Sequence, residues 1–167
     1  MNAIPEVRIC PLNQFLMLHK ERQLPEQTAA ILSSSDPLDA EKLRGVTYVF
    51  QQYDDVDQPI PGRALTIRQA EQFAYFLEHL EKNTEVIYCC CDGGMSRSAA
   101  VAAAVCRFYG QSEEWIWCSP HYHPNALVFG MLCEALRMPA SEYELERLVR
   151  RNRKAFSDAI KRAREGS

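Results

Sequence analysis

Cys91-Asp92-Gly93-Gly94-Met95-Ser96-Arg97-Ser98 brings a thiol, two glycines, a guanidinium and a hydroxyl into one short stretch. It follows the apolar run Glu85 to Cys90, and an Ala- and Val-rich segment continues from Ser98 to Tyr109 almost without charge. The first run has the character of a central parallel strand, the second that of a helix buried on every side. A loop between them lies at the carboxyl end of a strand, the edge where open α/β sheets bind ligands. Backbone N–H groups from Asp92 to Arg97 can converge there on a tetrahedral anion, because Gly93 and Gly94 permit unusual dihedrals and close backbone approach. The helix start adds its positive dipole end, and Arg97 offers a fork that matches two anionic oxygens. At the base of the loop, these donors favour the thiolate form of Cys91. A thiolate held against a bound phosphate is a nucleophile in position, and the Ser98 hydroxyl can donate to the sulfur when it leaves.

This Cys-x5-Arg-Ser pattern resembles the active loop of cysteine-dependent protein tyrosine and dual-specificity phosphatases. The continuation Ser-Arg-Ser-Ala-Ala-Val-Ala-Ala-Ala is similar in particular to compact bacterial phosphatase-like proteins. By motif the resemblance runs from about Val46 to Pro139. It implies a phosphomonoester hydrolase working through a cysteinyl-phosphate, with Cys91 as nucleophile, Arg97 as phosphate ligand and Ser98 assisting. The phosphate-binding loop is then Asp92, Gly93, Gly94, Met95, Ser96 and Arg97, and neither metal nor organic cofactor is required. The family also carries an aspartic acid on a separate upstream loop, which protonates the departing oxygen and later activates water. Asp54, Asp55 and Asp57 stand at the right distance. Asp55 is favoured, because Tyr53-Asp54-Asp55-Val56 resembles the family's aromatic-x-Asp-aliphatic pattern, with Asp57 second. A surplus of carboxylates in one loop also allows mutual raising of pKa, which keeps one of them protonated as an acid.

The sequence departs from the family at one position. Most members have His immediately before the nucleophile, where it braces the loop; here it is Cys90. Its absence points either to a raised thiol pKa and a slower enzyme, or to a module that binds phosphate or phosphopeptide without turnover. A redox role for Cys90 is disfavoured, because adjacent cysteines form a strained ring and Cys89 points to the other face of the strand. Sulfur transfer and arsenate reduction also use a cysteine at an anion loop, but neither matches Cys91 at mid-chain. The loop carries no lysine and one acid, Asp92. A polyanionic inositide is therefore expected to be repelled, and a phosphorylated peptide or protein, or a small aryl phosphate, fits better. A phosphate or sulfate ion is expected in the pocket.

The elements that must position this loop alternate along the chain. Glu6 to Cys10 and Val46 to Phe50 read as strands, and Thr28 to Leu32 as a buried strand running into a turn-rich surface loop at Ser33-Ser34-Ser35. Asn13 is expected to cap an amphipathic helix from Gln14 to Arg22, and Asp39 to Arg44 to add a helical turn or two. Thr66 and Gln69 form a capping box for a helix reaching Lys82. Glu113 to Cys118 and Asn125 to Arg137 read as further helices, the second with Leu127, Val128, Met131, Leu132 and Leu136 inward. Asn125 is open between N-cap and pocket-positioning residue. Ser141 and Glu144 open a charged helix running to about Arg164.

The expected fold is α/β, a mostly parallel sheet of about four to five strands flanked by helices, phosphatase-like, with an extra C-terminal helix. Residues 1–140 form the expected catalytic domain and 141–167 the charged helix packed on it or extending from it. The 167 residues suit one ordinary domain, and 19 Lys plus Arg against 22 Asp plus Glu give a net charge of -3. No basic excess points to nucleic acid or to an anionic membrane, and the arginines of the last helix read as a solvated face. With no apolar run of membrane length, no signal-peptide pattern and an odd seven cysteines, three of them consecutive, a reducing cytoplasmic address is expected. Cys89, Cys106 and Cys133 read as core, Trp115 and Trp117 as packing. His121 and His123 have no third ligand at finger spacing.

Overall fold

The computed structural model describes residues 3–166. Four strands, β1 (Glu6–Pro11), β2 (Thr28–Ser34), β3 (Thr47–Gln52) and β4 (Val86–Cys91), form one sheet in the order β1-β4-β2-β3, and every pairing is parallel. The fold is the expected α/β layer, with four strands. Its all-parallel pairing explains the apolar runs: β4 is buried along its whole length and β2 over all but Thr28, because helices cover both faces.

One face carries α1 (Leu12–Lys20) and a short 3-10 turn at Ala40–Leu43, enclosing Phe15, Leu32, Leu43, Tyr88 and Cys90. The other carries α2 (Ile67–Glu78), α3 (Arg97–Phe108) and α5 (Ala126–Ala135) over Ile31, Ile87 and Cys89. A single turn, α4 (Glu114–Trp117), and the long α6 (Glu142–Glu165) complete the chain. In α3, every residue from Arg97 to Cys106 is buried, as a helix apolar all round must be. The α2 capping box forms in both directions, and Ser141 accepts from the Glu144 N–H at the start of α6. Among the described residues no helix is long and apolar enough to cross a membrane.

Local boundaries differ from the sequence expectation in instructive ways. The α1 helix begins at Leu12 directly from β1, with Pro11 rather than Asn13 at the cap position and no side-chain cap. A proline ring fixes φ in the range that a strand-to-helix corner needs, so the cap residue is dispensable. The α2 helix ends at Glu78, short of Lys82, and Glu113 to Cys118 contracts to one turn. Ser33 and Ser34 are not surface turn residues: β2 runs through them and both are buried. Trp117 is core, but Trp115 is largely exposed, its ring edge-on to Tyr122. In α5, Val128, Leu132 and Leu136 face inward as expected, while Leu127 and Met131 are only half-buried. Cys89, Cys106 and Cys133 are buried. Desolvation pushes the Cys106 thiol up to about 11 and that of Cys133 up to about 12.

Candidate active site

All four strands point their carboxyl ends to one edge of the sheet, and each contributes to a single site there. Cys91 is the last residue of β4, and Arg97 opens α3. The chain turns between them by placing Gly94 at φ +67. A Cβ on Gly94 would lie 2.6 Å from the Pro11 nitrogen and 2.8 Å from the Cys10 carbonyl carbon, so the end of β1 is the floor on which the loop rests. Glycine is required there for both reasons.

Cys91 is 2 % exposed, and its thiol lies 3.1 Å from the Ser98 Oγ at the second residue of α3. In the thiolate form the direction of this bond reverses, and the hydroxyl donates to sulfur. Arg97 is 5 % exposed. Its Nη1 donates to the Tyr53 carbonyl (2.7 Å) and the Ser35 Oγ (3.1 Å), and its Nη2 donates to Asp92 Oδ2 (2.8 Å). Its Nε is buried and has no partner among the described residues. The guanidinium also stands 5.9 Å from the centre of the Tyr53 ring. Burial of Tyr53 raises its phenol well above the usual range, against the hydrogen bond that its hydroxyl shares with Ser33.

Asp55 reaches the loop from the segment after β3. Its Oδ1 accepts from the Ser96 hydroxyl (2.9 Å) and from the Asn125 Nδ2 (2.8 Å). Asn125 resolves the alternative left open by sequence by doing both things. Its Oδ1 caps α5 at the Val128 N–H, while its Nδ2 also donates to the Val56 carbonyl. Asp54, half-buried, accepts from Arg63 at 2.9 Å, and that bond first and one to Ser35 second hold its carboxyl below its ordinary range. The expected mutual raising among the three acids therefore does not apply to Asp54: a cation has taken it. Asp57 is exposed. The backbone of the segment after α4 is tied to the loop through His123 N to the Met95 carbonyl (2.9 Å) and Asn125 N to the Ser96 carbonyl (3.3 Å). Met95 itself is exposed.

Cys90 faces the other side of the sheet. Its sulfur lies 3.6 Å from that of Cys10, its register partner on β1, and burial holds the Cys90 thiol far above its ordinary value. Ser34, Ser35 and Tyr53 are site residues that sequence reasoning did not identify. The signal available was positional: hydroxyl groups at the carboxyl end of a buried parallel strand stand where ligand sites form.

The sequence matches no protein-family model and no curated protein. Among solved structures, the chain is similar to human DUSP28, at 15% identity and a TM-score of 0.48, covering 93% of this chain and 96% of that one. It is similar to PTPMT1 in complex with PI(5)P, at 14% identity and a TM-score of 0.45, over 92% and 94% of the two chains. It is also similar to Tk-PTP in the active form, at 15% identity and a TM-score of 0.43, over 89% and 90%.

Proposed function

We propose that this protein hydrolyses phosphomonoesters through a cysteinyl-phosphate, as its Cys-x5-Arg-Ser loop implies. The observation that carries this reading is the orphaned Nε of Arg97, a buried cationic donor without an acceptor in the loop that begins at Cys91. A buried unpaired donor on a charged group is costly, and an anionic oxygen is the partner that removes the cost.

In the proposed reaction, the Cys91 sulfur attacks phosphorus as the P–O bond to the leaving group breaks. Arg97 and the loop amides hold the equatorial oxygens. Asp55, within reach of the loop through Ser96, gives its proton to the departing oxygen. Water then attacks the cysteinyl-phosphate with Asp55 as base. Sulfur leaves as thiolate, accepting a hydrogen bond from Ser98. The residues used here require no cofactor. A second reading, a phosphate-binding module without turnover, draws on Cys90: its sulfur faces Cys10, so it gives Cys91 none of the bracing that a histidine there would give.

The test is turnover of p-nitrophenyl phosphate with an acid-quenched digest to trap the intermediate. A phosphoryl adduct on Cys91 is expected, together with loss of at least roughly a thousandfold in rate for Cys91→Ser while phosphate binding persists. Asp55→Asn is expected to cost about 100- to 10,000-fold and to remove the high-pH limb of the rate profile. Phosphate binding with no burst and no adduct in the wild type would establish the second reading. An undiminished rate in Cys91→Ser rules out the first.

A further inference from the structure

The carboxylate of Asp92 stands immediately after the nucleophile, where a negative charge is expected to repel a phosphate. Its contacts say otherwise. Oδ1 accepts from the Ser34 hydroxyl at 2.6 Å, and Oδ2 accepts from the Ser35 N–H at 3.1 Å and from the Arg97 Nη2 at 2.8 Å. Ser35 closes the arrangement from the other side, its Oγ accepting from the Arg97 Nη1. The Ser34 hydroxyl is itself held in place by the Asp36 N–H at 3.0 Å. Asp92, Ser34, Ser35 and Arg97 therefore form one connected clasp between the end of β2 and the loop after β4.

A guanidinium has five N–H donors. Both hydrogens of Nη1 are taken, by the Tyr53 carbonyl and Ser35, and Asp92 takes one of Nη2. What remains is Nε–H and one hydrogen of Nη2, two donors that suit two oxygens of one phosphate. A freely rotating arginine would have to be ordered on binding; one locked on its other donors does not. We propose that Asp92 is a positioning residue that fixes Arg97 with this pair of donors presented to the anion, and that it supplies the loop with the bracing that Cys90 cannot. This rests on the reading of the loop as a phosphate site.

The two roles for Asp92 differ in sign. If its charge only repels the ligand, Asp92→Asn strengthens phosphate binding. If it positions Arg97, Asp92→Asn weakens binding by roughly 10- to 100-fold, the worth of a charge-assisted hydrogen bond. The experiment is calorimetric titration of the full chain with inorganic phosphate, for wild type, Asp92→Asn, Asp92→Glu and Ser34→Ala, with thermal unfolding of each. Weaker binding in Asp92→Asn, partial recovery in Asp92→Glu and a smaller loss in Ser34→Ala, all without a shift in the high-pH limb of turnover, are the expected results. Unchanged or tighter binding in Asp92→Asn overturns the proposal. Should Asp92→Asn fail to fold, Ser34→Ala decides: phosphate affinity equal to wild type overturns it. A wild type that binds no phosphate overturns the reading of the loop itself, an outcome separate from either.

Discussion

Asp92 and Arg97 are paired before any ligand arrives, and the pairing sets the pH behaviour of Asp92. Burial alone would raise the Asp92 carboxyl; the Ser34 hydroxyl, the Ser35 N–H and Arg97 outweigh it and hold the group below its ordinary range. A depressed carboxyl contributes stability that is complete above its unfolded value and is lost as pH falls through its lower folded value. Wild type should therefore be more stable than Asp92→Asn at neutral pH, with the gap closing only at pH below the usual carboxylate range. Urea midpoints measured from neutral to strongly acidic pH check this, and a gap that does not change with pH would contradict it. The same scale shows what spacing cannot tell. Cys91, Arg97 and Ser98 are legible because they are neighbours in sequence. Which of Asp54, Asp55 and Asp57 bonds to the loop depends on Ser96 and Asn125, and only the fold brings these to the acids.

At the scale of elements, the loop depends on the junction of β1 with α1. Gly94 rests on the peptide joining Cys10 to Pro11, which leaves no room for a Cβ and demands a left-handed backbone. Gly94→Ala combines the cost of that conformation with overpacking against main chain, together about 2–4 kcal/mol. The expected outcome is a lowered unfolding midpoint and loss of phosphate binding, measured by denaturant titration and calorimetry. Retention of both at wild-type levels would show that the loop is free to shift. The strand and helix cores were legible from periodicity and from capping boxes, as at Thr66. Ends were less so. Ser33 and Ser34 read as turn formers by composition, yet pairing with β3 extends β2 through them, because the ladder satisfies their backbone groups.

For the whole molecule, the question is what joins the C-terminal helix to the domain that carries the site. Asn152 on α6 is buried and donates to the carbonyls of Trp117, Ser119 and Tyr122. Arg107 at the end of α3 forks to Glu113 at 3.0 and 2.7 Å, reaches Glu144 of α6 at 2.7 Å, and stands 4.9 Å from the Phe129 ring centre on α5. Removing it leaves two part-buried carboxylates facing each other. Arg107→Met should cost roughly 3 kcal/mol. Chemical denaturation measures it, and a midpoint equal to wild type would show that the pairing contributes nothing to stability.

The layered α/β fold and a Cys-x5-Arg-Ser loop between one strand and one helix were already written in the sequence. Both are local: hydrophobic period, strand burial and the order of eight residues carry them. The packing of the elements adds that Asp55 rather than Asp54 meets the loop, that Asn125 both caps α5 and bonds Asp55, and that Asp92 clasps Arg97 to β2. Those contacts join residues 41, 70 and 57–58 positions apart. The parallel sheet brings them to one edge, and no spacing along the chain encodes which side chains will meet there.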